Sequence, residues 1–205
     1  MAKKKNRNTK GKIVSAAWDL FYRQGYENTT VEEIIEESGT SRGSFYHYFD
    51  GKDALLSSLS YLFDDKYEEL LETLDTDQNA FDILMYLNRE LFGMIERTVS
   101  VELLAQMYAA QLTTKGEKHL LDRDRLYYRL LRQIARQGQD RSELRQDIPT
   151  GEIVKTYALC ERALLYDWCI CGGEYSLREY SAKMMPIFLT HLRAPGIDKK
   201  LSDSI

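Results

Sequence analysis

The sequence predicts an all-α fold of about nine helices, arranged as a small three-helix N-terminal domain and a larger helical C-terminal domain. Along most of the 205 residues, apolar side chains recur every three or four positions, which is the helical period. Glycine, proline and short polar runs divide this pattern into segments of helix length, and no strand-like alternation competes with it. The length fits one small and one larger domain with a substantial core.

The first helix is predicted from Lys12 to Gln24. Apolar residues between Ile13 and Phe21 repeat at helical spacing, and Gly25 follows as a stop. Residues 12–52 form the predicted N-terminal domain, in which this helix supports the two that follow.

The next two helices are short and separated by a tight turn. Thr30 caps the first of them, Glu33 completes a capping box, and Gly39 ends the helix. Ser41 caps the second, and a helical wheel places three of its aromatic rings on one inward side: Phe45, Tyr48 and Phe49. This arrangement predicts a helix-turn-helix.

The outward side of the second short helix carries groups that suit DNA. Gly43, Tyr46 and His47 project there, flanked by Arg42 and Ser44. Tyrosine and histidine hydrogen-bond phosphate oxygens in such a position, and arginine reaches a phosphate or a guanine edge. Glycine costs a short helix about 1 kcal/mol relative to alanine, and close approach to a DNA groove would explain it. The alternative is a core aromatic cluster with a merely solvated outer face.

The remaining helices follow from breakers and caps. Asp50 is predicted to cap a fourth helix that contains Lys52 and continues to about Leu70, out of the small domain. Five further helices are predicted at about 80–97, 101–112, 117–137, 151–171 and 177–192, with Pro186 inside the last. Residues 53–193 therefore form the predicted larger domain, and residues 194–205 a loose tail.

A long ordered motif lies roughly between residues 12 and 56. It consists of Ala-Ala, Leu-Phe, Gly-Tyr, Thr-Thr-Val and Gly-Thr-Ser-Arg-Gly-Ser-Phe-Tyr-His-Tyr-Phe, followed by Lys52. This order resembles the N-terminal signature of the tetracycline-repressor (TetR) family. Beyond residue 60 that family shares helix number more than sequence, so the resemblance implies architecture there but no particular ligand.

The resemblance implies a DNA-binding transcriptional regulator, most simply a repressor that a small-molecule effector releases from a palindromic operator. In that family the fourth helix carries ligand-driven movement to the DNA-binding domains. The predicted DNA-binding residues are Thr30, Ser41, Arg42, Gly43, Ser44, Tyr46, His47 and Lys52. We expect Arg42 and Ser44 to act partly on bases, and Thr30, Tyr46, His47 and Lys52 to act mainly on phosphates. A family member that binds DNA without any effector is the alternative.

The net charge of −4 is distributed unevenly along the chain. Residues 1–52 hold nine Lys or Arg against seven Asp or Glu, whereas residues 53–205 hold nineteen against twenty-five. Six basic residues precede position 13 with no acid among them: Lys3, Lys4, Lys5, Arg7, Lys10 and Lys12. Residues 1–11 are therefore predicted to form a flexible basic arm that contacts phosphates or the minor groove, or alternatively a solubilising tail.

Several other functions lack support in the sequence. No apolar run of 18 residues exists and no signal-peptide pattern is present, so we expect a cytoplasmic protein without a membrane span. The three histidines lie far apart and catalytic or phosphate-loop motifs are missing, so we expect no enzyme activity, cofactor or metal. A thiol- or metal-responsive regulator acting through Cys160, Cys169 and Cys171 is the alternative function, although small buried side chains account for them better.

The last two predicted helices carry apolar faces that one protomer does not easily cover. In the resembled family the corresponding helices form a four-helix bundle between two protomers, which presents two recognition helices to successive major grooves. The expected interface residues of this homodimer are Leu164, Trp168, Tyr180, Met184 and Phe188. An ordinary intramolecular core is the alternative.

In the resembled family the central helices surround a ligand cavity. Seven aromatic or thioether residues fall on those helices in this chain: Tyr86, Met94, Met107, Tyr108, Tyr127, Tyr128 and Tyr157. Such residues are also what an ordinary core contains, so they are only candidates for the pocket.

Two acidic residues, Asp124 and Glu161, are predicted to lie on apolar helical stripes. A carboxylate that faces a core is costly unless something pairs with it. One possible partner is an arginine, with Arg89, Arg129 and Arg162 as the candidates. The other hypothesis is a cationic, partly aromatic effector that the carboxylates hold and the tyrosines stack against.

Overall fold

The structure is a computed structural model that describes residues 2–56, 58–113 and 118–195, with the backbone alone for residues 2–8 and 61. Within these ranges the chain forms ten α-helices, two 3₁₀ turns and no strand, so the all-α fold class is confirmed. The helices are α1 (Ala2–Gln24), α2 (Val31–Ser38), α3 (Arg42–Tyr48), α4 (Lys52–Leu56), α5 (Leu59–Thr73), α6 (Ala80–Thr98), α7 (Val101–Thr113), α8 (Leu126–Asp140), α9 (Thr150–Ile170) and α10 (Leu177–Leu189). The 3₁₀ turns are His119–Leu121 and Thr190–Leu192.

The described residues form two compact units. Unit 1 comprises the described parts of Met1–Leu62 and Ser100–Leu120, and unit 2 those of Phe63–Val99 and Leu121–Ile205. The boundary falls within α5, which therefore contains residues of both units.

Unit 1 is built on the apolar side of α1. This helix packs against α2 and α3, and α4 packs against α7. The indole nitrogen of Trp18 also donates to Ser58 Oγ at 2.9 Å. The core residues, each at most 4% exposed, include Ile13, Ala17, Leu20, Phe21, Ile34, Phe45, Leu55 and Leu104.

Unit 2 is a bundle in which α6 packs against α8 and α10, and α9 packs against the same two helices. Its fully buried residues include Leu87, Phe92, Ile95, Leu131, Tyr157, Met185 and Leu189. Gly138 on α8 allows a close approach to α6, because a Cβ at this position would lie 2.6 Å from the Ala80 Cβ.

Helix α1 begins at Ala2 rather than at the predicted Lys12. The backbone of residues 2–11 thus continues the helix instead of forming a separate arm. Lysine and arginine are good helix formers and no proline interrupts these residues, which explains the continuation. The side chains of Lys3, Lys4, Lys5 and Arg7 lie outside the described residues, as do residues 196–205, most of the predicted tail.

The predicted fourth helix is divided into α4 and α5. Ser58 lies before α5, where its hydroxyl donates to the Leu55 carbonyl and accepts the bond from Trp18. These side-chain hydrogen bonds compete with helical ones, and they could not be seen in the periodicity. Because α4 and α7 belong to unit 1, the compact unit also differs from the predicted domain boundary at residues 52 and 53.

The predicted helix at 117–137 is wrong in its first part, since α8 begins only at Leu126. The residue before it, Arg125, forms a two-pronged ion pair with Asp64 of α5, with both N–O distances at 2.9 Å. The two side chains are 8% and 15% exposed. This buried contact holds the start of α8 against α5. The predicted positions of α6, α7, α9 and α10 are confirmed.

Candidate functional site

The helix-turn-helix is defined by its caps, as predicted. Thr30 Oγ1 accepts from the Glu33 amide at 3.2 Å, and Glu33 Oε2 accepts from the Thr30 amide at 2.7 Å. Gly39 ends α2 with φ at +60°, a conformation that favours glycine. Ser41 then caps α3, because its Oγ accepts from the Ser44 amide at 3.1 Å. The turn is therefore specified by local hydrogen bonds.

An aromatic core supports α3 from the inside. Phe45 is fully buried and Phe49 is 6% exposed, with their ring centroids 5.8 Å apart. Tyr48, predicted to be inward with them, is only half-buried, and its ring lies edge-on to the His47 ring at 4.7 Å. Of the three aromatic side chains predicted to pack inward, Phe45 and Phe49 are therefore buried and Tyr48 is not.

The outward face of α3 is exposed in unit 1. Arg42, Gly43 and His47 are exposed, and Tyr46 is 45% exposed although it is a large aromatic residue. A Cβ on Gly43 would meet nothing closer than Ser41 Oγ at 4.0 Å, so no intramolecular contact requires a glycine there. This face can approach a partner backbone closely, and it presents a guanidinium, a phenol and an imidazole to that partner.

Arg42 and Glu32 form an exposed ion pair beside this face, with Nη2 and Oε1 3.6 Å apart. The guanidinium also lies 5.7 Å from the centroid of the Tyr46 ring. These contacts hold Arg42 next to the other outward side chains of α3. An exposed ion pair of this kind is weak, so the Arg42 guanidinium can still bind another partner.

Lys52, in contrast, is held by contacts within unit 1. Its Nζ donates to the Tyr26 carbonyl at 2.8 Å and to the Glu27 carbonyl at 3.4 Å, and it lies 4.3 Å from the centroid of the Tyr26 ring. The Tyr26 hydroxyl donates to Asp53, and burial and this carboxylate together raise the pKa of the tyrosine. Lys52 thus ties the start of α4 to the loop after α1, a structural role that its sequence position did not indicate.

Two of the predicted pocket residues belong to unit 1. Met107 is 1% exposed and Tyr108 is half-buried, and both lie on α7. On the same helix, Gln106 donates to Glu27 at 2.9 Å, near the loop that leads to α2. Met107 and Tyr108 therefore belong to a different unit from the other pocket candidates, which sequence spacing does not show, and their place in a pocket stays a prediction.

A buried polar cluster does form around Glu161 in unit 2. The carboxylate, in a residue 3% exposed, accepts from Asn88 Nδ2 at 2.9 Å and from the Tyr127 hydroxyl at 2.7 Å. The Tyr157 hydroxyl donates to the Leu84 carbonyl at 2.8 Å and lies near the Glu161 carboxylate. Burial raises the pKa of Glu161, and these neutral donors offset the rise only in part.

Of the predicted arginine partners, Arg162 acts on Glu161 through its charge, but no hydrogen bond or ion pair joins the two side chains. Arg162 donates to the Tyr128 hydroxyl at 3.3 Å, and Arg129 to the Asp124 carbonyl. Asn88 was not predicted as a site residue, although it interrupts an apolar stripe of α6 as Glu161 does on α9. Tyr67 was not predicted either. Its ring centroid lies 5.5 Å from that of Tyr127, and its buried hydroxyl has no hydrogen-bond partner among the described residues.

Asp124 is not part of the cluster. It precedes α8 and is exposed, so the predicted stripe that was to include it does not exist. The other candidates in unit 2 are dispersed: Met94 is buried and accepts from Thr98 through sulfur at 3.1 Å, and Tyr86 is half-buried beside Arg89.

The predicted interface residues fall into two groups. Leu164 and Trp168 are each 4% exposed, and the Trp168 indole donates to the Tyr175 carbonyl at 2.9 Å, so the chain's own packing already uses them. On α10, Tyr180 and Phe188 are 39% and 37% exposed, and Met184 is half-buried. The exposed apolar side of α9 consists instead of Leu159, Tyr166 and Ile170, each more than half exposed.

The cysteines give little support to a thiol or metal site within the described residues. Burial raises the pKa of Cys160, and that of Cys169 to about 11, so both thiols stay protonated at neutral pH. Redox sensors instead expose thiols of low pKa. Over the described ranges, no group of three or more His, Cys, Asp or Glu side chains is placed to hold a metal ion. The alternative thiol- or metal-responsive function is therefore not supported.

None of the helices in the described ranges is both long and apolar enough to cross a bilayer.

Residues 13–59 match the family described as bacterial regulatory proteins, tetR family. An HTH-type transcriptional regulator from the lacX 3' region of Lactococcus lactis is 48% identical over 46 residues, which are 22% of this chain and 24% of that protein. The HTH-type transcriptional repressor KstR2 of Mycobacterium tuberculosis is 22% identical over 190 residues, 92% of this chain and 94% of the repressor. The chain spans about a quarter of the length of the first two curated relatives that it matches and about half of the third.

A solved structure is similar over most of the chain. The TetR-family transcriptional repressor FadR of Thermus thermophilus, in complex with lauroyl-CoA, matches with a TM-score of 0.71 and 24% identity. The match covers 88% of this chain and 93% of that protein. At this identity the similarity shows the fold.

Proposed function

The chain belongs to the TetR family of transcriptional regulators, and on that basis we propose that it is a homodimeric repressor that a small molecule releases from a palindromic DNA operator. The observation that carries this proposal is the outward face of α3. Arg42, Tyr46 and His47 are exposed around Gly43, on a helix whose opposite side is fixed by buried aromatic rings. A guanidinium that reaches base edges beside phosphate-binding groups is what a recognition helix needs in a major groove.

The position of Lys52 modifies the expected DNA contacts. Its ammonium is already bonded to two backbone carbonyls, so its contribution to phosphate binding is the positive charge that it places near the start of α4. Thr30 and Ser41 keep their hydroxyls in the two N-terminal caps, where the amides of a helix start add to the attraction for phosphate. We therefore assign Thr30, Ser41 and Ser44, whose amide bonds the Ser41 hydroxyl, to the support of the DNA-facing side chains. Lys52 has both roles, support and attraction of phosphate.

Mapping of the bound DNA tests the DNA-binding proposal. The tagged full chain is expressed in cells, the DNA it binds is sequenced, and the shared site is measured by fluorescence anisotropy against a version with one half-site scrambled. We expect an inverted repeat and a loss of at least tenfold in affinity when one half-site is scrambled. The absence of any shared site, or equal binding to both duplexes, would contradict the proposal.

Exposed apolar side chains on α9 and α10 support the dimer. Leu159, Tyr166 and Ile170 are spaced by seven and four residues, so they share one side of α9. On α10, Tyr180, Ile187 and Phe188 are also exposed. We assign these faces to a second copy of the chain, because a palindromic operator requires a two-fold symmetric partner.

Unit 2 is the proposed effector-binding part. The lauroyl-CoA bound to FadR supports a small organic effector for a chain of the same fold. The Asp64–Arg125 ion pair joins α8 to α5, and α5 continues into unit 1, so a ligand that shifts α8 also acts on α5. A small-molecule screen for lower operator affinity tests this part, with lauroyl-CoA among the compounds. An operator affinity that no compound changes would favour a regulator without an effector.

A further inference from the structure

A cleft of about 320 Å³ lies in unit 2 between α8 and α9. Its floor is formed by Tyr128, Val154 and Ala158, each at most 7% exposed. Its edge carries four basic residues: Arg123, Arg132, Lys155 and Arg162. The volume is at the lower end of the range for small-molecule sites.

Among the described residues, no carboxylate lines this cleft. Arg132 donates to the Arg123 carbonyl at 2.9 Å, and Arg162 donates to the Tyr128 hydroxyl at 3.3 Å, so both guanidinium groups bond neutral acceptors. Lys155 pairs with Glu152 at 3.7 Å, an exposed contact one helical turn away that contributes little. In the part of the chain that the structure describes, no ion pair neutralises the three arginines.

The acid next in sequence, Glu161, attracts Arg162 electrostatically but forms no ion pair with it. Glu161 is bonded to Asn88 and Tyr127 and is not among the residues of the cleft. Four cations that converge on a concave, partly apolar surface repel one another and focus a positive potential into it. An anion bound at this edge would relieve the repulsion, and arginine forks are suited to phosphate and carboxylate groups.

We propose that this cleft binds an anionic amphiphile, with a phosphate or carboxylate group at Arg132 and Arg162 and a short apolar part against Tyr128, Val154 and Ala158. The ligand deepens the proposed function, since it would be the effector of the regulator. Binding at the edge of α8 would act on the helix that the Asp64–Arg125 pair joins to α5.

Calorimetry with three probes of equal chain length tests the binding. Octyl phosphate, octyltrimethylammonium and 1-octanol are titrated into the full chain, together with inorganic phosphate. We expect octyl phosphate to bind at least tenfold more tightly than each of the others, because only it offers both the charge and the apolar chain. Equal binding of octyltrimethylammonium would overturn the anion site. Equal binding of inorganic phosphate would overturn the role of the apolar floor.

Three variants locate the site. Arg132→Gln and Arg162→Gln should each weaken octyl phosphate binding about tenfold or more, whereas Arg136→Gln should leave it unchanged. Arg136 is the matched control, since it lies one turn further along α8, is exposed and does not line the cleft. Lys155→Glu reverses an exposed charge at the edge without touching the core and should also weaken binding. The assignment would be overturned if Arg132→Gln, Arg162→Gln and Lys155→Glu all left binding unchanged.

A second measurement separates this proposal from the regulatory function on which it rests. Operator affinity is measured with and without octyl phosphate for the original chain and for Arg132→Gln. Loss of operator affinity only in the original chain supports both proposals. Octyl phosphate that binds at the cleft but leaves operator affinity unchanged would overturn its role as effector. A chain that binds no operator at all would overturn the proposed function, while the calorimetric result for the cleft would still hold.

Discussion

Arg42, the first residue of α3, lies 3.6 Å from Glu32, the second residue of α2. The two side chains are 70% and 65% exposed, so water and salt weaken their attraction to well below that of a buried pair. A DNA phosphate or guanine competes with Glu32 for the same guanidinium. The negative charge of Glu32 also lies beside the face proposed to approach DNA. The carboxylate therefore opposes DNA binding in two ways.

Substitution of this carboxylate should strengthen DNA binding. We expect Glu32→Gln to raise affinity for the operator about 1.4- to fivefold, since an exposed pair is worth about 0.2–1 kcal/mol. Glu37→Gln is the matched control, because Glu37 is also an exposed acid of α2 and pairs with Arg23 at 3.3 Å. Fluorescence anisotropy at two salt concentrations measures both. An equal gain for Glu37→Gln would show that only net charge matters, and a loss for Glu32→Gln would contradict the competition.

The contrast between Arg42 and Lys52 leads to a second prediction. Arg42→Ala should cost about 1–3 kcal/mol on the preferred operator and much less on random DNA, because it removes base contacts. Lys52→Ala should weaken binding to all sequences alike and reduce the salt slope by about 1. Salt-dependent titrations on operator and random duplexes distinguish the two patterns. Equal losses on both duplexes for Arg42→Ala would remove it from the base-contacting residues.

The intramolecular bonds of Lys52 add a stability effect that Arg42 should not show. Lys52→Ala removes a charged donor from the Tyr26 carbonyl and should lower the free energy of unfolding by about 1–2 kcal/mol. Urea unfolding followed by tryptophan fluorescence measures this, since Trp18 lies in unit 1. Unchanged stability in Lys52→Ala would mean that the contacts with Tyr26 and Glu27 contribute nothing.

The helix-turn-helix could be predicted from the sequence because short-range chemistry specifies it. The Thr30 capping box, the left-handed Gly39 and the Ser41 cap each act within five residues, and each is present as predicted. The start of α8 depends instead on Arg125 and Asp64, which are 61 residues apart. No periodicity contains that information.

The residues of the proposed dimer face could not be predicted from the sequence, for a different reason. α9 is apolar on two sides, and a helical wheel does not tell which side packs within the protomer. Trp168 and Leu164 pack inside, whereas Tyr166 and Ile170 are exposed. Only the packing of α8 and α10 against α9 decides between them.

The fourth prediction uses this difference between neighbouring residues of α9. Tyr166→Glu and Phe188→Glu should each give folded monomers, because an unpaired charge would be desolvated in the proposed dimer interface. Operator affinity should fall with the dimer. Trp168→Glu should instead unfold unit 2, since this side chain is 4% exposed and donates to the Tyr175 carbonyl. Sedimentation and circular dichroism separate the two results, and intact dimers of folded Tyr166→Glu would exclude this face of α9.

The pKa of Glu161 also depends on residues that are distant in the sequence. Its carboxylate accepts from the neutral donors Asn88 and Tyr127, and burial raises its pKa above the ordinary value of 4.5 although Arg162 acts in the opposite direction. A raised pKa in the folded state means that the folded chain holds this proton more tightly than the unfolded chain. The resulting stability is fully present below about pH 4.5 and is lost as the pH rises through the raised pKa.

Glu161→Gln should therefore change the pH dependence of stability. The glutamine side chain cannot ionise, so the free energy of unfolding of the original chain, relative to the variant, should fall as the pH rises from about 4.5 to neutral. Urea unfolding at several pH values measures this difference. Glu152→Gln is the control, because Glu152 lies on the same helix but is exposed, and its difference should stay nearly constant. If the original chain instead gains stability over Glu161→Gln as the pH rises, the donors stabilise the ionised carboxylate more than burial destabilises it.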